Sequence, residues 1–283
     1  MNRPMNVGRG KFTDLTLALH RTRLLLSDFD GSIVPDHLKK YTDDQKVLEA
    51  ANIARCLYPT PFKFVTMTGG SLERLMPWAE MSNAPVFAEN AGVVFNPRDK
   101  SGKITILMGK EEADFIIKFV SPKIEHELER SYPGYGKSSN KITMSTYFKP
   151  ENVPIEEFRD HVLSFLSREL DAKQYSRIFV TYGKTLIDVN HVGADKSRAI
   201  KFASELFRTE VDGMTAYGDG DNDRPAFDAL IRGQGTVIIP ANHDEEVGRW
   251  AENQKNHSRV TKHHLESTEC FIDILRQFYD KLD

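Results

Sequence analysis

The hydrophobic pattern of this chain alternates between short, unbroken apolar runs and longer segments that carry one apolar face. The runs at residues 24–26, 62–67 and 85–88 lack polar alternation, which is typical of strands buried on both faces of a sheet. The segments between them repeat their apolar residues at helical spacing. Residues 23–95 therefore predict the order strand, helix, strand, helix, strand, which favours a parallel sheet with right-handed crossovers.

The pattern changes in the middle of the chain. Residues 141–148 alternate between apolar and polar side chains, as a half-covered antiparallel strand does. Residues 154–170 carry one apolar helical face, and residues 177–181 and 185–189 flank a glycine-containing turn that predicts a hairpin. We therefore expect residues 96–185 to form a separate α+β unit inserted into the first one.

The strand–helix pattern then resumes. A helix is predicted at residues 196–207, strands at 214–217 and 236–239, and an amphipathic helix at the end of the sequence. The predicted fold class is α/β, with a central parallel sheet in a core made of residues 21–95 and 186–283.

Composition narrows the class of protein. With 40% hydrophobic and 28% charged residues among 283, the chain has ordinary globular composition, and its net charge of -3 gives no basic field for nucleic acid or an anionic membrane. Residues 1–20 are expected to form a tail or early loop without a signal-peptide pattern, and no apolar run approaches a membrane span. Cys56 and Cys270 match no disulfide or metal spacing and are expected to be buried thiols. We expect a cytoplasmic protein and leave its oligomeric state open.

Acidic residues follow two of the predicted strands. Asp28 and Asp30 come directly after the first strand, and Asp219 and Asp223 follow the strand at 214–217. Each pair taken alone also fits an ordinary Asp/Gly turn. If both strands lie centrally in one parallel sheet, however, the carboxylates converge at its carboxyl edge and must either be protonated or hold a cation. An oxygen-only site without His or Cys suits Mg²⁺.

A phosphate could be bound by residues elsewhere in the chain. Thr68, Gly69 and Gly70 offer a hydroxyl and bare backbone N–H groups before a helix that Ser71 can cap. Lys196, at the start of another helix, could supply positive charge. Together with the carboxylates, these residues have the properties of a phosphoryl-transfer site.

Four short motifs in this order resemble those of the haloacid dehalogenase (HAD) superfamily, in its phosphatase branch. They match the family's DxDG(T/S) motif, its second-motif threonine, its third-motif lysine and its GDxxND motif. The matching segments are Asp28-Phe29-Asp30-Gly31-Ser32, Thr68-Gly69, Gly193-Ala194-Asp195-Lys196-Ser197 and Gly218-Asp219-Gly220-Asp221-Asn222-Asp223. The resemblance covers most of the chain, and the four motifs together are far more specific than any one of them.

The position of the inserted unit also resembles one branch of that superfamily. Little sequence separates Asp30 from Thr68, whereas the stretch between Thr68 and Lys196 holds the whole inserted unit. That arrangement is similar to the C2 cap, type IIB, of Cof-like and sucrose-phosphatase-like sugar phosphatases. The turn containing Asn90 resembles their ENG(A/G) segment. The resemblance thus implies a Rossmann-like HAD core with a C2-type cap at residues 96–185.

The resemblance assigns catalytic roles. Asp28 is expected to attack phosphorus and form an aspartyl-phosphate. Asp30 is expected to protonate the leaving alcohol and then activate the water that hydrolyses the intermediate. Thr68 and Lys196 are expected to hold phosphate oxygens, next to Gly69. Gly70 replaces an arginine found in many Cof-like relatives, which puts an arginine-mediated substrate contact in doubt.

The resemblance also implies how the metal is held. Mg²⁺ is expected to bind the Asp28 carboxylate, the Asp30 main-chain carbonyl and Asp219. Asp223 is expected to act through the metal's shell or by orienting the third-motif lysine, and Asn222 to hold the phosphate site together. The neighbouring Asp221 is expected to be a solvated turn residue.

Substrate choice is expected to come from the cap. Lys137, Ser139 and Lys141 lie in a segment that loosely resembles the lysine-bearing cap segment of sugar-phosphate phosphatases. Each is a candidate contact for a sugar hydroxyl or phosphate, and each also fits a solvated loop. Asn90 is a further candidate substrate contact. The pair His263-His264 is interpreted as a surface pair and not as a metal site.

Three functional hypotheses follow from the sequence. The first is a Mg²⁺-dependent phosphatase that hydrolyses a small hexose, disaccharide or amino-sugar phosphate through an aspartyl-phosphate. The second is a HAD-type sugar phosphomutase, which would share the same aspartates. The third is a catalytically inactive HAD-like binding protein, which the retention of five ionisable motif residues disfavours. The sequence does not identify the sugar.

Overall fold

A computed structural model describes residues 15–35, 38, 40–57, 60–138, 141–183, 185–253 and 259–280. The strands in these ranges are β1 (Leu24–Ser27), β2 (Lys63–Met67), β3 (Val86–Ala88), β4 (Val93–Phe95), β5 (Ile104–Ile106), β6 (Gly136–Lys137), β7 (Ser145–Phe148), β8 (Ile178–Tyr182), β9 (Leu186–His191), β10 (Met214–Tyr217), β11 (Thr236–Ile239) and β12 (Val260–Lys262). The helices are α1 (Leu15–His20), α2 (Gln45–Leu57), α3 (Leu72–Ser82), α4 (Lys110–Asp114), α5 (Ser121–Ser131), α6 (Ile155–Glu169), α7 (Ala172–Tyr175), α8 (Lys196–Phe207), α9 (Arg224–Arg232), α10 (Glu245–Asn253) and α11 (Ser267–Tyr279).

These elements form a mixed α/β fold with a large, mostly parallel sheet, which confirms the predicted fold class. The chain packs as two compact units. The first unit comprises Met1–Val65 and Ile200–Asp283, and the second comprises Thr66–Ala199. Strand β2 and helix α8 each contain the point where the chain passes from one unit to the other. The cap boundaries at residues 96 and 185 stay a prediction.

In the first unit, four parallel strands lie in the order β12-β11-β10-β1. All four residues of β1 are buried, as are all four of β10, because helices cover both faces of such a sheet. Helices α2 and α11 pack against each other, and the ring of Phe271 on α11 lies 5.3 Å from that of Phe64 and 6.0 Å from that of Tyr217. Apolar burial and ring packing therefore hold the strand ends of this unit in place.

Residues 15–20 of the first unit differ from the expected tail. They form helix α1, and Ala18 and Leu19 are buried with 4% and 1% of their surface exposed. Residues 1–14 lie outside the described ranges. Burial of an apolar pair is sufficient reason for this short segment to be helical despite its modest length.

The second unit contains antiparallel pairing. Strand β3 runs parallel to β2, but β4 and β5 are antiparallel additions. A separate four-stranded antiparallel sheet has the order β6-β7-β9-β8. One face of it packs on helices α5 and α6 around a buried cluster that includes Tyr147, Phe158 and Val189. The predicted hairpin is present as β8 and β9.

Several local predictions were wrong in detail. Strand β7 begins at Ser145 and not at residue 141, because the N–H groups of Ile142 and Thr143 donate to a side-chain carboxylate instead of a strand. Ser71 precedes α3 without a side-chain capping hydrogen bond. Cys56 is exposed, while Cys270 is buried as expected.

Within the described ranges, no helix is long and apolar enough to cross a membrane.

Candidate active site

Three carboxylates converge in the first unit. Asp28, Asp219 and Asp223 each place one carboxylate oxygen within 4.8 Å of the others, and all three residues are buried. They include both predicted acidic strand ends, one after β1 and one after β10. The structure thus brings together three of the four aspartates that the sequence singled out.

The register of the sheet explains this convergence. Strands β1 and β10 are parallel neighbours in which Ser27 lies opposite Tyr217. The Asp28 N–H then donates to the Tyr217 carbonyl at 2.8 Å. Both chains therefore leave the sheet at the same level, where the carboxyl ends of parallel strands present their side chains to a ligand.

Two glycines allow the close approach of the acidic loops. Gly31 has a φ of +79°, and a Cβ at this position would lie 2.2 Å from Oδ2 of Asp219. A Cβ at Gly218 would lie 2.4 Å from Oδ2 of Asp223. Since both distances are far shorter than any real contact, the carboxylates occupy the space that a side chain would need.

Short hydrogen bonds orient two of the carboxylates. The Ser32 hydroxyl donates to Oδ1 of Asp219 at 2.6 Å, and the Gly220 N–H donates to Oδ2 of Asp223 at 3.1 Å. These two bonds fix the orientation of the carboxylates in the group.

A second set of contacts anchors the loop after β1. The Gly31 carbonyl accepts hydrogen bonds from Nδ2 of Asn242 at 2.8 Å and from the Ser267 hydroxyl at 2.7 Å. Asn242 Oδ1 in turn accepts the Ser267 N–H at 2.9 Å. Sequence reasoning missed both residues as part of the site. The available signal was that Asn242 closely follows β11, a further strand of the same parallel sheet.

The remaining acids of the motifs lie differently. Asp30 is partly exposed and its backbone forms an isolated bridge with Val34, so its carboxylate is not in the buried group of three. Asn222 is exposed on a short 3₁₀ turn, Asp221–Asp223. Asp221 is also exposed and pairs with Arg224 at 2.9 Å, which agrees with the solvated turn expected for it.

The cluster is costly without a counter-charge. Three buried carboxylates at this separation repel one another, so a cation or protons must neutralise them. Burial raises the pKa of the neighbouring Tyr217 hydroxyl well above 10.0, and the Cys270 thiol and then the charges of Asp219 and Asp28 raise it further. The site therefore suits a hard cation with oxygen ligands.

The second-motif turn lies in the second unit. Thr68 is buried, and its hydroxyl accepts the Gly70 N–H at 2.9 Å. The Thr68 carbonyl accepts the Asn90 N–H at 2.9 Å. The expectation of bare N–H groups is therefore wrong for Gly70, because that donor already serves the threonine hydroxyl.

Lys196 is the first residue of α8, and only 1% of its surface is exposed. Asp188 on β9 lies near enough for the charges of Lys141 and Lys196 to act on it. Burial raises the pKa of the Asp188 carboxyl, and these two lysines and the Thr146 hydroxyl, which donates to it, lower it. Sequence reasoning missed Asp188; its signal was an acid within an otherwise alternating strand.

The predicted cap contacts have different surroundings. Lys137 is exposed and pairs with Glu125 at 2.6 Å, so the structure engages it with a surface acid. Ser139 lies outside the described residues. The Lys141 ammonium donates to the Gly69 carbonyl. Asn90 is buried and its Nδ2 donates to Oδ1 of Asn190 at 3.2 Å.

The interpretation of His263-His264 as a surface pair was wrong for His263. It is 7% exposed, and its Nε2 lies 3.0 Å from Oδ2 of Asp273. The two imidazole rings are stacked with centroids 4.8 Å apart. His263 is thus a buried structural residue beside α11.

Comparisons with known proteins show that the chain is similar to phosphatases. The family described as "Sucrose-6F-phosphate phosphohydrolase" matches residues 148–279. A phosphoglycolate phosphatase of Methanopyrus kandleri is 25% identical over 236 residues, which cover 82% of this chain and 89% of that protein.

Solved structures show the same fold. The sucrose-phosphatase of Synechocystis, determined with sucrose and phosphate, has a TM-score of 0.66 at 14% identity and covers 92% of this chain and 98% of that one. A haloacid dehalogenase-like hydrolase from Bacteroides thetaiotaomicron has a TM-score of 0.64 at 14% identity, covering 91% and 99%. Together with the four motifs and the α/β fold, these likenesses make the chain similar to phosphatases of the HAD superfamily.

Proposed function

We propose that this phosphatase is Mg²⁺-dependent and hydrolyses a small sugar phosphate through an aspartyl-phosphate on Asp28. The observation that carries the proposal is the buried group of three carboxylates at the ends of β1 and β10. A phosphatase site needs a nucleophile and a means of neutralising phosphate charge, and this group can supply both.

The donor set fits Mg²⁺. Asp28, Asp219 and Asp223 offer oxygen ligands only, and the group contains neither His nor Cys. We assign the Asp28 and Asp219 carboxylates as ligands, with the Asp30 carbonyl added by the family resemblance, and Asp223 beside them. When bound, Mg²⁺ would neutralise negative charge on the transferring phosphoryl group.

In the first step, a carboxylate oxygen of Asp28 attacks phosphorus and the bond from phosphorus to the sugar oxygen breaks. The Asp30 carboxyl gives its proton to that leaving oxygen, which departs as an alcohol. The partial exposure of Asp30 and its position outside the buried group suit an acid that exchanges protons with substrate and water.

In the second step, the Asp30 carboxylate takes a proton from water, and the water oxygen attacks phosphorus. The bond from phosphorus to Asp28 breaks, which releases inorganic phosphate and restores both carboxyl groups to their starting states. Thr68 and Lys196 are assigned to phosphate oxygens. This assignment rests on the motifs and on the burial of both residues in the second unit.

A sugar is proposed for the leaving group. The matched family is named for a sucrose phosphate, and the second unit carries Asp188, Thr146 and Lys141 close together. A carboxylate, a hydroxyl and an ammonium group can donate to and accept from the hydroxyls of a neutral sugar.

The test is a substrate panel. Purified protein with Mg²⁺ is assayed for phosphate release from hexose, disaccharide and amino-sugar phosphates and from phosphoglycolate. We expect release from at least one sugar phosphate, abolished by chelation and restored by Mg²⁺. Isomer interconversion without phosphate release would contradict the proposal in favour of a phosphomutase. Preference for phosphoglycolate would overturn the sugar assignment, and no turnover of any member would contradict the whole proposal.

A further inference from the structure

A buried acid of the second unit has contacts that the proposed reaction does not use. Glu89 is 0% exposed, and it begins three successive residues with left-handed backbone: Glu89, Asn90 and Ala91 have φ values of 53°, 52° and 64°. Left-handed backbone is unfavourable for non-glycine residues, and such strain persists only where surrounding contacts enforce it. The contacts of Glu89 must therefore hold this turn.

The Glu89 carboxylate binds a segment 53 and 54 positions later in the chain. It accepts the Ile142 N–H at 3.0 and 2.9 Å, the Thr143 N–H at 2.6 Å and the Thr143 hydroxyl at 2.8 Å. Bonds to an ionised acceptor are about twice as strong as neutral ones. Burial raises the pKa of the Glu89 carboxyl, and these donors together with the Lys141 charge oppose that rise.

This binding fixes the residue immediately before those donors. Lys141 precedes Ile142, and its ammonium donates to the Gly69 carbonyl in the second-motif turn. Its charge also acts on Asp188. Holding a flexible lysine at one carbonyl costs side-chain freedom, and a backbone that the neighbouring Glu89 bonds already order reduces the further cost.

The backbone of the same turn holds the second motif from the other side. The Glu89 N–H donates to the Gly70 carbonyl at 3.1 Å, and the Asn90 N–H donates to the Thr68 carbonyl at 2.9 Å. The Gly92 backbone packs tightly against the Thr143 side chain, because a Cβ at Gly92 would lie 2.1 Å from Oγ1 of Thr143. The turn that begins at Glu89 is thus bonded both to the Thr68 loop and to the segment that follows Lys141.

We propose that Glu89 is a positioning residue: it fixes Lys141 against the second-motif turn so that the ammonium meets the substrate in a set orientation. The proposal rests on the proposed function for the identity of the substrate. The contacts that support the positioning of Lys141 involve residues of the second unit alone and do not depend on the proposed function.

The test is a double-mutant cycle with Glu89→Gln, Lys141→Met and both together. Each single change should lower kcat/KM for the best sugar phosphate by about 10-fold, mostly through KM, and the double should fall within about threefold of the lower single, because both disrupt one contact. The matched control is Glu127→Gln, another buried acid of the second unit, bonded to Ser131 and His161. Single effects that multiply in the double variant would overturn the positioning role.

A second readout needs no enzymatic activity. Acylation of lysines at limiting reagent, followed by peptide mass spectrometry, reports how firmly Lys141 is held. Glu89→Gln should raise labelling of Lys141 several-fold while that of Lys137 stays constant, and Thr143→Val, which removes one donor, should act in the same direction if Glu89→Gln does not fold. Unchanged Lys141 labelling in both variants would contradict the proposal. A wild-type protein without phosphatase activity would contradict the proposed function and leave this readout valid.

Discussion

The group of three carboxylates in the first unit and the segment around Lys141 in the second unit are positioned in different ways. In the first, strand register places Asp28 beside the loop of Asp219, and the Gly31 and Gly218 backbones leave room for the acids. In the second, Lys141 is held by an acid 53 positions before its neighbour Ile142. One arrangement follows from short motifs on adjacent strands, and the other follows from the bonds of one carboxylate to a distant segment.

The difference teaches where each kind of site is vulnerable. A motif-built site fails when a group in the motif is removed, because the chemistry is lost while the sheet persists. A contact-built site fails when a distant partner is removed, because the chemical group remains but loses its position. The predictions below separate these two failures.

The largest effect is expected for Asp28→Asn. The amide is a poor nucleophile, so kcat for phosphate release should fall by at least about a thousandfold. The measurement is steady-state phosphate release, with Asp221→Asn as control, since Asp221 is an exposed acid of the motif loop paired with Arg224. Comparable activity of Asp28→Asn and wild type would contradict the assigned nucleophile.

A smaller but still severe effect is expected for Gly31→Ala. The new methyl group would enter the space of the Asp219 carboxylate, so the Mg²⁺ concentration for half-maximal activity should rise by about 10-fold or more. Gly102→Ala is the matched control, because Gly102 also has a positive φ, +60°, but nothing lies within 4 Å of its added Cβ. That control should lose about 1 kcal/mol of stability and retain its Mg²⁺ dependence. Equal behaviour of the two variants would show that backbone strain alone explains the loss.

A moderate effect is expected for Asp188→Asn in the second unit. The Asn amide keeps an acceptor oxygen but loses the negative charge that strengthens bonds from sugar hydroxyls. KM for the sugar phosphate should therefore rise by about 10-fold, while turnover of a simple aryl phosphate, which lacks those hydroxyls, should stay unchanged. Asp160→Asn, at an exposed acid beside Arg159, serves as control. A parallel loss on both substrates would place Asp188 in the chemistry and not in sugar recognition.

The smallest effect concerns pH and His263. Burial holds the pKa of His263 below its ordinary 6.5, so the unfolded chain takes up the proton more readily than the folded one. Stability from the neutral ring is therefore complete above pH 6.5 and is lost as pH falls through the folded pKa. Denaturant unfolding between pH 5 and 8 should show this slope flattened in His263→Gln and retained in His264→Gln, at the exposed neighbour. An unchanged slope in His263→Gln would assign it to other groups.

The comparison also shows what could be predicted from the sequence. The sequence predicts that three acids converge: Asp28, Asp219 and Asp223. It does so because unbroken apolar runs identify parallel strands, and the carboxyl ends of neighbouring parallel strands lie at the same edge of the sheet. Asn242 and Ser267 could not be assigned to the Gly31 carbonyl, because no local pattern encodes which distant side chain meets a loop. Fold class belongs to the first kind of information and is confirmed.

The errors have the same origin. The alternating residues at 141–144 look like a strand, but the Glu89 carboxylate takes two of their N–H groups, and that acid is far away in sequence. His263 looks like a surface residue, but its exposure is decided by packing beside α11 and by Asp273. The periodicity of apolar residues predicts which face of a helix or strand is buried. The conformation and exposure of these residues depend instead on contacts with a different element of the fold.

The central claim is a covalent intermediate on Asp28, and its direct test is rapid quenching of the enzyme during turnover of its best sugar phosphate. Borohydride reduction of the quenched protein converts an acyl phosphate to homoserine, which peptide mass spectrometry can locate. The account predicts homoserine at position 28 in the wild-type protein and none without substrate. Turnover with no modification at position 28, or modification of another acid, would contradict it.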